Sequence, residues 1–249
     1  MKKIIIFISL FLNIVSAEGF NKSFQDGNNL MEEKDFIEAS NLYESILEVH
    51  PSNSDLYYNL GNAYYRSNNI GLAIWAYSQA ISLNPRDDDI QYNLLLAKSK
   101  RVDNIKISET FVIFTKYIIL RNYFSFNEWF FLSSISFLIL IITIISGNIF
   151  YNIKELLNYM VGPLLIINLL VHGITFDKYV KLKFEKKAVF IAQSVDVSSE
   201  PNLVDGKIIF KIHEGTICDI LNQRENWSKV ALKDGKIGWV KNKYYRSLK

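Results

Sequence analysis

The sequence predicts a multidomain chain: an all-α repeat solenoid, a two-helix transmembrane hairpin and an all-β small barrel. Three observations carry that prediction. An offset of 34 residues superposes Gly27 on Gly61, Leu30 on Tyr64, Ala39 on Ala73, Tyr43 on Tyr77 and Pro51 on Pro85. A period of that length belongs to stacked helix–turn–helix repeats. Two long uncharged apolar stretches follow, and beyond about Ala188 the hydrophobic pattern switches from helical spacing to alternation.

The chain opens on Met1-Lys2-Lys3, an apolar run from Ile4 to Val15, and the small residues Ser16 and Ala17. Residues 1–17 therefore read as a secretory signal peptide, with an uncleaved anchor helix as the alternative. Residues 18–100 form the repeat domain. Gly27 and Gly61 are expected to let the two helices of a repeat approach, with Ala39 and Ala73 filling the small space opposite. Leu42, Ile46, Leu60, Ile74 and Ile81 supply a buried stripe at helical spacing. Pro51 and Pro85 end each second helix, because proline lacks the amide donor and clashes with the preceding turn. Residues 88–100, with Tyr92 and Leu94 to Leu96, read as a further first helix that closes the stack. Asp87, Asp88 and Asp89 follow Pro85 and read as its cap, not as a metal site.

Residues 101–127 form a connecting amphipathic segment. No charge occurs between Glu128 and Lys154, which places one transmembrane helix at 128–147. The 21 uncharged residues between Glu155 and Asp177 place a second at 156–176; at 1.5 Å each they reach about 32 Å, against a hydrocarbon core of about 30 Å. Asn168 is expected to bond across the hairpin to the first span, and His172 to sit near the helix end. A hairpin leaves both flanking domains on one side of the membrane. The signal peptide makes that side extracytoplasmic. Lys178, Lys181, Lys183, Lys186 and Lys187 after the second span argue the other way, and the export signal, acting first, is given precedence.

In residues 188–249, Asp205-Gly206, Glu214-Gly215 and Asp234-Gly235 mark turns, the last between two apolar alternating runs. Five or six short strands are expected. Cys218 shares a face with Ile220 and reads as a small buried hydrophobe. As the single cysteine of 249 residues it also excludes an internal disulfide and a thiolate metal cluster. A net charge of +3 without a basic block interleaved with aromatics gives no basis for nucleic-acid binding. His50, His172 and His213 fall in three different segments, with no carboxylate or cysteine at metal or triad spacing. There is no glycine-rich phosphate loop. No catalytic residue, cofactor site or metal site is read from the chain, and it is not expected to be an enzyme.

The run from Asp55 to Arg66, followed by Ala73, Tyr77, Ala80 and Pro85, resembles the tetratricopeptide repeat family. Members bind extended peptides with the inner face of each first helix. The resemblance implies a partner-binding groove of Phe24, Asn28, Met31, Tyr58, Asn62, Tyr65 and Tyr92, in which Asn28 and Asn62 grip a peptide backbone or carboxylate through paired donor and acceptor groups. Val195 to Val197 with Ser199 and Pro201, Phe210 to Thr216, Trp227 to Val230 and Asp234 to Val240 resemble the bacterial SH3-like family, with Ser198 where an arginine is common. This resemblance adds Trp227 and Tyr244 as a recognition surface, and peptidoglycan as an alternative ligand. Trp239 reads as core. The order of modules is similar to that of the BatE-like family of aerotolerance (Bat) operon proteins. It implies an inner-membrane scaffold beside von Willebrand A-domain Bat proteins and a MoxR-type ATPase; the export signal and the hairpin are what place both soluble domains in the periplasm.

Overall fold

A computed structural model describes residues 19–103, 105, 111–201 and 206–248. The signal-peptide reading lies outside these residues, as does Asp205 of the first expected turn. The chain divides into two compact units. One takes residues up to 83 together with 87–107 and 187–248; the other takes 84–86 and 108–186.

In the first unit, helices α1 (19–32), α2 (Phe36–Val49), α3 (Ser54–Arg66), α4 (Ile70–Leu83) and α5 (Asp88–Ser99) form the repeat stack. The caps are local. Asp35 accepts from the Glu38 amide, Asn53 from the Leu56 amide and Asp87 from the Ile90 amide, each satisfying an orphan donor of a first turn. Lys34 and Asn68, one period apart, both enter the left-handed region, at φ 65° and 63°. After each, the next amide bonds back to Leu30 or Tyr64 and closes the first helix of its repeat. Helices α2 and α4 stop two residues ahead of Pro51 and Pro85, as expected. Tyr43, Leu56, Leu60, Ile74 and Tyr77 are fully buried and make the core.

The glycines do something other than the expected job. A Cβ on Gly27 would meet the Tyr43 ring at 2.5 Å, and one on Gly61 the Tyr77 ring at 2.5 Å. The missing side chain makes room for a tyrosine, while Ala39 and Ala73 are simply buried in the core.

Seven strands, not five or six, make one antiparallel sheet: β1 (Lys187–Phe190), β2 (Ser194–Ser198), β3 (Ile208–His213), β4 (Ile217–Gln223), β5 (Trp227–Ala231), β6 (Ile237–Lys241) and β7 (Tyr245–Leu248), in the order β3-β2-β6-β5-β4-β1-β7. The short strand β7 follows a 3-10 turn at Asn242–Tyr244, where alternation has no room to show. Gly215 and Gly235 take φ of 80° and 87° at the expected turns, a backbone glycine adopts freely. Phe190, Val195, Val197, Ile212, Val230 and Val240 form the sheet core with Cys218. Burial pushes the Cys218 thiol up to about 12. Trp239 is 8% exposed, in keeping with a core reading.

Repeats and sheet share this unit, and β1 and β7 lie on α4. Strand alternation sends Ala188 and Phe190 into the sheet core and Val189 into the repeat core, where Ile217 and Leu248 join it. Gly71 seats the contact: a Cβ there would lie 2.5 Å from the Phe190 carbonyl oxygen and 2.9 Å from the Ile191 Cα. The Gly71 amide donates to Glu214 Oε2 (2.9 Å), and Trp75 Nε1 donates to the Ser247 carbonyl (2.9 Å). The Arg246 guanidinium pairs with Glu44, which also accepts from the Tyr64 hydroxyl, and lies 4.5 Å above the Trp75 ring. Asp103 adds a further tie. Its carboxylate accepts from the His213 amide (2.7 Å), the His213 ring Nδ1 (2.8 Å) and the Thr216 hydroxyl (2.8 Å).

The second unit holds α6 (Val112–Tyr123), α7 (Phe126–Ile149), a 3-10 turn (Tyr151–Ile153) and α8 (Lys154–Phe184). A capping box between Ser125 and Glu128 starts α7. Helices α7 and α8 pack antiparallel. Thr175 Oγ1 donates to the Trp129 carbonyl (3.2 Å), and Asn168 Nδ2 donates to Ser136 Oγ (3.1 Å), the bond expected of Asn168. Both helices are long and apolar enough to cross a membrane. Helix α8 runs on to Phe184, beyond the expected span of 156–176, and only Glu185 and Lys186 separate it from β1.

Candidate interaction face of the repeats

The expected groove residues fall on three first helices: Phe24, Asn28 and Met31 on α1, Tyr58, Asn62 and Tyr65 on α3, and Tyr92 on α5. The 34-residue period reproduces their contacts as well as their positions. Tyr43 donates to Asn28 Oδ1 at 2.7 Å, and Tyr77 donates to Asn62 Oδ1 at 2.7 Å. The Phe24 and Tyr43 rings lie 6.2 Å apart, the Tyr58 and Tyr77 rings 6.1 Å. Each repeat thus carries one unit: a glycine that admits a tyrosine ring, and the following asparagine that receives its hydroxyl.

Burial pushes the Tyr43 phenol up to about 12 and moves Tyr77 the same way. Both hydroxyls therefore stay protonated and act as donors, and each asparagine must offer its oxygen. Of the donor and acceptor pair expected on each amide, the acceptor is used inside the repeat. The NH2 groups of Asn28 and Asn62, one period apart, take no part in these bonds. Replacing Tyr77 by phenylalanine should cost about 1 kcal/mol by chemical denaturation and release the Asn62 amide to rotate.

Two further asparagines join the helices. Asn59 Nδ2 donates to Asn28 Oδ1 (3.2 Å) between α3 and α1, and Asn93 Nδ2 donates to the Tyr58 hydroxyl (2.9 Å) between α5 and α3. They stand 34 residues apart, so the same offset that finds the glycines also finds them. Phe24, Met31, Tyr58 and Tyr65 are half-buried against the repeat core. Tyr65 carries the Lys100 ammonium 4.2 Å above its ring. Tyr92 is 67% exposed. The face therefore combines half-buried aromatic rings, two asparagine amides and one lysine, which suits the carbonyls and apolar side chains of an extended peptide.

Trp227 and Tyr244 lie elsewhere, on β5 and in the turn before β7. Trp227 faces Lys241 across β5 and β6 in the same ladder that pairs Lys229 with Trp239, and the Arg224 guanidinium covers Trp239 at 4.8 Å.

His213 does find a carboxylate partner in the fold, Asp103, which meets it across 110 residues of sequence. Among the described residues, no group of three or more His, Cys, Asp or Glu is placed to hold a metal ion.

A tetratricopeptide repeat family model matches residues 30–98, which run from the end of α1 through nearly all of α5. No curated protein matches the chain.

Proposed function

We propose that the chain is a non-enzymatic, membrane-anchored adaptor that holds an extended segment of a partner protein on the face of α1, α3 and α5. The observation that carries this reading is the duplicated Gly-Asn-Tyr unit. It repeats on successive first helices an asparagine amide whose oxygen is held by a tyrosine, and NH2 groups repeated in that way suit an extended backbone with regularly spaced carbonyls. Tetratricopeptide repeats are protein-interaction scaffolds, and their concave faces hold polypeptides.

Anchoring rests on α7 and α8. The chain leaves the first unit near residue 107 and rejoins it at Lys187, so a spanning hairpin leaves repeats and sheet on one side. With the export signal at residues 1–17 that side is the periplasm of a bacterial inner membrane. The order of modules, with the C-terminal sheet taken as an SH3-like domain, supports a place among BatE-like scaffolds beside von Willebrand A-domain partners. Joint replacement of Asn28, Asn62 and Tyr65 by alanine should abolish capture of the partner in a membrane pulldown; because Tyr43 and Tyr77 also lose their acceptors, the variant unfolds at a lower temperature, and circular dichroism at the assay temperature checks that its helices are retained. Undiminished capture would remove the groove from the mechanism.

A second reading, peptidoglycan tethering by the sheet, is favoured by the Trp227–Lys241 pair. It calls for co-sedimentation with the whole chain, because an isolated 188–249 fragment would expose Val189, Ile217 and Leu248. Loss of sedimentation in Trp227→Ala would support this reading.

A further inference from the structure

Helix α6 exposes more apolar surface than a water-soluble protein tolerates. Two of its polar residues, Tyr117 and Arg121, turn inward, while Thr115, Lys116 and Asn122 stay exposed. The Tyr117 hydroxyl donates to Asp177 Oδ2 (2.8 Å), and Arg121 Nη1 pairs with the same oxygen (3.0 Å). Its apolar residues turn outward: Val112, Ile113, Phe114 and Ile119 are 63–69% exposed, and no residue of α6 is buried. Burying such side chains is worth about 1.5–3 kcal/mol each, so water is a poor medium for this surface.

The corner that joins α6 to the hairpin is fixed. Trp129 Nε1 donates to the Arg121 carbonyl (2.9 Å), and Lys178 Nζ donates to the Phe124 carbonyl. Only Phe124 and Ser125 separate α6 from α7. At 12 residues and 1.5 Å per residue α6 is about 18 Å long, too short for a third crossing of a core about 30 Å thick. Tyrosine, tryptophan, lysine and arginine concentrate where a span meets water, and Tyr117, Arg121, Tyr123, Trp129, Lys178 and Tyr179 gather at this end of the hairpin.

We infer that α6 is an interfacial helix lying in the plane of the bilayer, its exposed Val112, Ile119 and Tyr123 side chains, which share the face opposite Tyr117 and Arg121, immersed at the boundary of headgroups and acyl chains and its Tyr117 and Arg121 clamped to Asp177 of α8. The inference rests on the membrane-anchored reading above. Immersion of such helices is about 5–10 Å, and Lys116 reaches the headgroups along its own stem.

Depth-dependent quenching tests it on the full-length chain in vesicles of phosphatidylcholine and phosphatidylglycerol. The buried Cys218, whose thiol resists ionisation, leaves a clean background for a thiol-reactive fluorophore. Labels on Val112→Cys and Ile119→Cys should be quenched best by a shallow spin-labelled lipid. Labels on Leu138→Cys in α7 and Ile167→Cys in α8 should be quenched best by a deep one, and a label on Lys233→Cys in the β5–β6 turn by neither. If the α7 and α8 labels are deep while those on α6 behave like Lys233→Cys, the inference falls and the anchored reading survives. Labels on α6 as deep as those on α7 also overturn an in-plane helix. Labels on α7 and α8 that stay in water overturn the anchored reading together with the inference.

Discussion

Gly71→Ala should destabilise the repeat-and-sheet unit by about 2–3 kcal/mol, although alanine is the better helix former by about 1 kcal/mol. The new methyl group would stand 2.5 Å from the Phe190 carbonyl oxygen and 2.9 Å from the Ile191 Cα. Both are backbone atoms, so no rotamer change relieves the overlap; α4 must lift from β1. Lifting it also strains the bond from the Gly71 amide to Glu214 and opens the packing of Val189, Ile217 and Leu248 on the repeat core. Urea titration of the detergent-solubilised chain, followed by tryptophan fluorescence, measures the loss through Trp75, which lies in this contact. Gly173→Ala is the matched control, because nothing lies within 4 Å of its added methyl group. A neutral result at Gly71 would mean that the sheet does not rest on α4.

Asp103→Ala should cost about 2–3 kcal/mol, since one substitution deprives three donors of their acceptor. The Thr216 residue among them is fully buried, and water does not replace the lost bond there. Burial opposes ionisation of Asp103, but bonds from the His213 amide, the His213 ring and the Thr216 hydroxyl outweigh it and hold the carboxyl below its ordinary value of 3.8. A carboxyl whose pKa is lowered by folding binds fewer protons folded than unfolded, so its contribution is complete above the unfolded value and is lost as pH falls through the folded one. The stability gap between wild type and Asp103→Ala should therefore shrink as pH falls below about 4. A gap that does not change with pH would mean that the aspartate is held by packing instead of charge.

How much of this was legible in the sequence follows from how far apart the partners lie. The repeats are legible because one offset carries every signal. Gly61, Asn62 and Tyr77 sit within 16 residues, and their counterparts stand 34 residues earlier. The role of the glycine was misread because a small residue announces a close approach without naming what approaches. Asn168 met Ser136 as expected, because a hairpin of two helices leaves a mid-span amide few partners. The contact of Asp103 with His213 crosses 110 residues, and nothing local to either side chain reports it. The same holds for Arg246 with Glu44, and so for the union of repeats and sheet in one unit. Strand β7 escaped for another reason: four residues after a 3-10 turn give alternation too little length.

The bond from Trp75 to Ser247 joins residues 172 positions apart. A ribosome adding about 5–20 residues per second leaves about 10–30 s between them. During that interval the bare flank of α4 has no cover, and the apolar helices α7 and α8 emerge before its partners do. Chaperones that shield nascent polypeptides have their longest opportunity there.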